Sequence, residues 1–504
     1  MAWKTFLAGW AAAVGAAANE LPAPPAADRD WGPLAVWQTD IAGAARFRAA
    51  GPFWETAASP DGKTLRACPR PLWVRATDPA PDRNAWDFLW PVAAGKTYGK
   101  EKSWRFLIAF FFDRDRVDPQ SQYRFWLPPF WFHGRTEKGT GYAALFPLGG
   151  EIGNFLLRDR IRFFLWPLWT QSQLNEVKTT DVLWPIYSRT TSPDGHREQF
   201  RIFPLYGYSK SGRQYVKHAV LWPLWSHGRY VHPKATGTAW VLFPLCGRVN
   251  LNSQKGWMVF PPFFQFIRGD QLNRFYCPWP FFQRDTGIRE RFVLWPLYGY
   301  RRDETLVRHS WLWPVFSREQ NDYGRKRLTR WLAIPFFVSV SQADIPLPAK
   351  RGEAAVPPPG PPRVTANRTK LWPLYSRRYD RDAGSYRLRA PDLWPVENPP
   401  PVERSWAPLW TLLDYRAQGQ DSDLDVLWGL YRATRRGADA RAFALFPLWR
   451  HERDAGDAAR RWSVLKGLLA YDRTATNRQM RFLWLGRLSL RPAPRPDAPE
   501  TPRP

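Results

Sequence analysis

The sequence predicts an all-β protein, and three observations carry that prediction. Proline is abundant, 50 of 504 residues, and each interior proline would cost a helix about 3 kcal/mol. Aromatic residues reach 16%, with 31 Trp, and large aromatics belong to the residue types enriched in strands. An apolar unit of aromatic, proline, aliphatic and aromatic residues also recurs along the chain, as in a repeat architecture. It reads Val293-Leu294-Trp295-Pro296-Leu297-Tyr298 in one place and Val182-Leu183-Trp184-Pro185-Ile186-Tyr187 in another.

Residues 1–18 read as a signal peptide. Lys4 supplies a positive charge, a small-residue apolar run follows, and Ala16-Ala17-Ala18 suits a signal peptidase. Residues 19–30 form a flexible, proline-bearing lead-in. Irregular β segments follow around Trp31, Phe47 and Pro71, with Asp61-Gly62 as a hairpin turn. The repeat settles into phase at Phe88-Leu89-Trp90-Pro91-Val92.

From there the proline returns in steps of about 19 residues. The repeat positions are Trp166-Pro167, Trp184-Pro185, Phe203-Pro204, Trp222-Pro223, Phe243-Pro244, Trp295-Pro296, Trp313-Pro314 and Trp372-Pro373, with later copies at Pro395, Pro408 and Pro447. Phe106-Leu107-Ile108-Ala109-Phe110 is a proline-free copy, and Gly429 and Gly467 stand in for proline near the end.

Only one polar turn signal separates successive prolines, for example Pro193-Asp194-Gly195. Each repeat is therefore expected to be one strand, bent at its proline and roughly 40–50 Å long. The expected fold is a long antiparallel up-and-down meander of about twenty or more Pro-bent strands. It would close as a barrel or flower-like sheet to avoid exposed edges. Apolar residues on both faces would form an aromatic belt at the waist, flanked by arginine-bearing ends. Residues 31–490 make a single β-repeat domain with an enlarged proline-rich loop at 341–366, and 491–504 form a disordered tail.

Three runs carry a resemblance: Tyr276-Cys277-Pro278-Trp279-Pro280-Phe281-Phe282-Gln283, Trp406-Ala407-Pro408-Leu409-Trp410-Thr411 and Leu427-Trp428-Gly429-Leu430-Tyr431-Arg432. In these the chain resembles a group of uncharacterised bacterial proteins built from Trp-Pro-Leu-aromatic β-repeats. The resemblance implies a bacterial source and one coherent architecture after Trp31. It brings no activity and no functional residue.

Catalytic, cofactor-binding and metal-ligating motifs are absent from the sequence, HExxH, GxSxG and the phosphate-binding glycine loops included. Cys68, Cys246 and Cys277 form no CxxC, and the latter two are expected as buried small hydrophobes. His218, His227 and His232 are the nearest thing to a histidine cluster, but spacings of nine and five match no metal motif. Asp421-Ser422-Asp423-Leu424-Asp425 starts like a calcium loop, yet Val426 and Arg432 replace its glycine and glutamate. A polar hairpin tip is expected there.

The net charge of +28 favours anionic partners, although the arginines are dispersed as solvated strand ends and turns would place them. The function expected is a non-enzymatic, exported β-repeat scaffold or binding protein of the cell envelope, in the periplasm or at the outer membrane. Its belt would contact membrane lipid or an anionic envelope component, and dispersed arginines disfavour nucleic acid. The alternative is an integral outer-membrane β-barrel acting as pore or transporter. An enzyme acting on envelope glycans or lipids, through acids such as Asp194 or Glu290, ranks last because no acid pair stands out.

Overall fold

A computed structural model of the chain describes residues 30–490, apart from 81, 213, 233–234, 346–362, 458, 475–477 and 484–485. The expected signal peptide, the lead-in before Asp30 and the C-terminal tail lie outside the described residues, as does most of the proline-rich loop. Strands Phe337–Asp344 and Arg363–Leu371 occupy the ends of that loop.

The protein is all-β, and its described residues form 45 strands paired antiparallel in up-and-down order. Two expectations need correction. The first concerns the proline. It does not bend a strand; it sits in a hairpin turn that joins two. Strand Val177–Val182 ends at Leu183-Trp184-Pro185-Ile186, and strand Tyr187–Thr191 runs back beside it, with Val182 opposite Tyr187. The Trp184–Pro185 peptide is cis, and Ile186 N–H donates to the Leu183 carbonyl at 2.8 Å, the geometry of a type VI turn. Each repeat is thus two strands, which doubles the number expected.

Proline fits this position because it has no N–H to donate. Its carbonyl still serves: Trp184 N–H donates to the Pro167 carbonyl of the preceding turn at 3.0 Å, and Leu183 N–H to Leu168 at 2.8 Å. Gly429 and Gly467 complete equivalent turns by a different route, with φ of 100° and 93° that favour glycine. Leu107 and Ile108 alone join the proline-free hairpin, Phe106 lying opposite Ala109.

The second correction concerns closure. Strand Ala35–Thr39 pairs with Ala45–Ala49, and Gly486–Leu490 pairs with Arg478–Phe482. Among the described residues no hydrogen-bonded ladder joins the first strand to the last.

The repeats expected at Pro395 and Pro408 are not hairpins. Ala390 pairs with Leu413, and the intervening excursion carries two short helices, α1 (Pro400–Ser405) and α2 (Ala407–Trp410), each with proline in its first turn.

The chain divides into two compact units. The central unit comprises Lys100–Ile334 and Gln342–Pro362. Its strands make substantial contact almost entirely with their sequence neighbours, so it is a single layer. Its buried apolar cluster is local: Phe132, Tyr142, Ala144, Ile152 and Phe163. The terminal unit comprises Met1–Gly99, Pro335–Ser341 and Arg363–Pro504. Within it, the strands before Gly99 and those after Arg363 meet through side chains. Lys466 lies over the Trp31 ring at 4.7 Å, and Trp406 Nε1 donates to the Trp90 carbonyl at 2.8 Å.

Candidate functional site

The repeat residues of the central unit gather along one edge of its sheet. Each proline turn hydrogen-bonds to the one before it, so Trp166 packs on Phe146 (5.4 Å between centroids) and Trp184 on Trp166 (6.3 Å). Phe203 with Trp222 (5.6 Å) and Trp295 with Trp313 (6.5 Å) repeat the contact. Instead of a waist between two hydrophilic ends, the expected belt is a rim. It is also exposed: Trp184 is 51% accessible, Trp222 58%, and the flanking Leu183, Ile186, Leu221 and Leu224 are all exposed. Phe243 and Trp295 lie on the same edge, and both are exposed. Trp372, a repeat aromatic of the terminal unit, is half-buried and donates from Nε1 to the Leu393 carbonyl at 2.8 Å.

Strand pairing orders the outward face below this rim. Cross-strand neighbours in the first row are Leu242, Cys246, Val259 and Phe264, all apolar. Two residues further from the turns come Trp240, Arg248, Trp257 and Phe266, where Arg248 lies 4.9 Å from the Trp257 ring. The third row is Thr238, Asn250, Lys255 and Arg268. The same grading recurs from Val182, Tyr187, Ile202 and Tyr206, through Thr180, Arg189, Phe200 and Tyr208, to Lys178, Thr191, Glu198 and Lys210. The other face holds the buried apolar cluster of Phe132, Ile152 and Phe163 together with small and buried polar residues. There Gly256 abuts the backbone at Phe266, and Tyr276 donates to Asp285 at 3.3 Å.

Other singled-out residues fall differently. His218 and His227 face each other across adjacent strands, a pairing that their sequence spacing concealed. Tyr206 hydrogen-bonds His218 Nδ1 at 3.0 Å, and the His227 ring stacks on Trp225. Among the described residues no group of three potential ligands is placed to hold a metal. Cys246 and Cys277 are half-buried rather than core residues, and Cys68 is exposed. Asp194 caps its own turn, accepting from Ser192 Oγ and from His196 N–H (3.0 Å). Glu290 is an exposed strand residue.

The terminal unit holds a second feature, which sequence reading missed. The segment 421–425 is not a hairpin tip but part of strand Asp421–Val426, and two of its acids, Asp423 and Asp425, reach residues from the other end of the sequence. Asp423 pairs with Arg436 (2.6 Å) and accepts from Ile41 N–H (3.1 Å), while Asp425 pairs with Arg48. Asp414 receives both Arg387 (3.0 Å) and Arg416 (2.6 Å). Helix α1 contributes Glu403, 2.7 Å from Arg389, and Arg404, which clasps Asp87. Glu55 pairs with Arg70 at 2.6 Å and faces Arg46 at 3.5 Å. Burial alone would raise the Glu55 carboxyl, but Arg70, Arg46 and Arg48 outweigh it and hold the pKa at about 2. Burial opposes ionisation of Asp414 too, and Arg416 with Arg387 hold it well below the usual carboxylate range. Apart from Asp87 and Arg436, these charged groups line a cavity of about 320 Å³.

Compared with protein-family models and with curated proteins, the chain matches none.

Proposed function

We propose that the protein is a non-enzymatic β-repeat scaffold of the bacterial cell envelope that docks on a lipid bilayer through the rim of proline turns. One observation carries this reading: the outward face of the central unit grades, row by row, from apolar through aromatic and arginine to polar and basic. A bilayer grades in the same order, from hydrocarbon through an interface that favours Trp, Tyr and Arg to water. The turn and two rows make a band roughly 10–15 Å deep at 3.3 Å per residue. That equals about one leaflet of a hydrocarbon core ~30 Å thick. The rim therefore suits insertion into a single leaflet, with the net positive charge favouring anionic headgroups.

The strands of the central unit run five to eight residues, whereas a spanning strand needs about 9–11. This favours surface docking over the pore alternative. No helix among the described residues is long and apolar enough to cross a membrane.

Co-sedimentation of the full chain with vesicles of phosphatidylglycerol and phosphatidylethanolamine tests the proposal. Saturable binding, reduced by acidic substitutions in the rim, is expected. Recovery of the chain in the supernatant at every lipid concentration would sink it.

A further inference from the structure

We propose that the charged cavity of the terminal unit is a binding site for a small phosphate-bearing anion, independent of the membrane rim. Two strand sets far apart in sequence build it, and neither is a site alone. From the first, Arg46 and Arg48 project on one face of strand Ala45–Ala49. From the second, Arg387, Arg389, Arg416 and Arg432 project from consecutive paired strands.

The ion pairs do not use up this positive charge. Eight arginines and six carboxylates line the cavity, an excess of two. Counting Asp30 and Asp87 behind Arg432 and Arg404, and Arg436 behind Asp423, the excess is one. A phosphate monoester carries about −1.5 to −2 near neutral pH, which matches that range.

The guanidinium groups of the lining are held in place by their partners. Arg432 uses its two Nη groups on Gln38 (3.3 Å) and Asp30, and Arg46 uses its own on Asp40 (2.9 Å) and Glu55. Fixed in this way, they present their excess positive charge to the cavity without a further cost of ordering on binding an oxyanion. Burial first, and then neighbouring Arg416, pulls Arg46 below its ordinary pKa, which an anion would reverse. At about 320 Å³ the cavity lies at the lower end of ligand-site volumes, enough for a phosphate with a short organic group.

The test is calorimetric titration of the full chain with three probes at matched ionic strength. These are inorganic phosphate, glycerol phosphate and a short-chain phosphatidic acid below its micellar concentration. Saturable binding of any of them is expected. Equal or tighter binding of the first two assigns a soluble ligand; tighter binding of phosphatidic acid assigns a lipid headgroup. Arg46→Gln and Arg432→Gln each take one positive charge from the lining, and each should weaken binding at least tenfold. Thr434→Glu adds a carboxylate to the wall without removing an ion pair, and should abolish binding even where a glutamine variant folds poorly. No saturable binding by any probe, or binding unchanged in Thr434→Glu, would overturn the proposal.

Discussion

Arg404 clasps Asp87 with two hydrogen bonds, one of 2.8 Å, across 317 residues of chain. Asp87 is wholly inaccessible and also accepts from Ser405 Oγ at 3.2 Å. Helix α1 is thereby tied to a strand from the other end of the sequence.

Removing one partner of such a pair leaves a buried charge uncompensated, which costs about 3–5 kcal/mol. Asp87→Ala is therefore expected to lower the stability of the terminal unit by that order. Urea unfolding followed by Trp fluorescence reads the loss. A change below about 1 kcal/mol would show that the clasp does not hold the unit together.

Acid should weaken the same unit in a defined window. The ordinary value for Glu55 is 4.5 and its folded value about 2. A carboxylate depressed on folding contributes fully above its unfolded pKa, and that contribution is lost as pH falls through the folded one. The expected loss is about 3 kcal/mol between roughly pH 5 and pH 2, at 1.36 kcal/mol per unit. Glu55→Gln should flatten the stability profile across that interval in thermal melts taken by pH.

Rim residues should matter to lipid and little to folding. Trp184→Glu and Trp222→Glu each replace an exposed ring. Transfer of a large apolar side chain from water is favourable by about 1.5–3 kcal/mol, so each change should weaken vesicle partitioning about tenfold or more. Melting midpoints should stay within a few degrees. Unaltered partitioning in the double variant would remove the rim from the interface.

Gly256 should resist replacement although its φ is unremarkable. A Cβ there would overlap the Phe266 carbonyl oxygen, a backbone atom that cannot rotate away. Overpacking of this kind costs about 1–3 kcal/mol. Gly256→Ala should lower the melting temperature, while Gly195→Ala, whose Cβ would meet nothing nearby, should bear only the smaller penalty of its positive φ of 66°.

Much of the fold was legible because the repeat is strict, yet its meaning was not. A run such as Val182-Leu183-Trp184-Pro185-Ile186-Tyr187 has the composition of a buried strand, and composition alone cannot separate a bent strand from a turn. Both accept a proline, because both leave one backbone position without a ladder hydrogen bond to donate. The graded face was hidden for a related reason. The turn at Trp184 has four residues between paired positions and the turn at Phe243 has three, so the phase of alternation shifts from one hairpin to the next. A shift of one residue turns every side chain to the other face.

The sequence by itself determined the all-β class, the antiparallel order and the reversals at the polar turns. Those depend on local chemistry: proline that a helix interior does not tolerate, and polar, glycine-bearing turns at regular intervals. Only the tertiary structure decided that the aromatic residues form an exposed rim, and that Arg48 meets Asp425 in one cavity. Both depend on cross-strand register and on contacts spanning hundreds of residues, and nothing local to those positions encodes either.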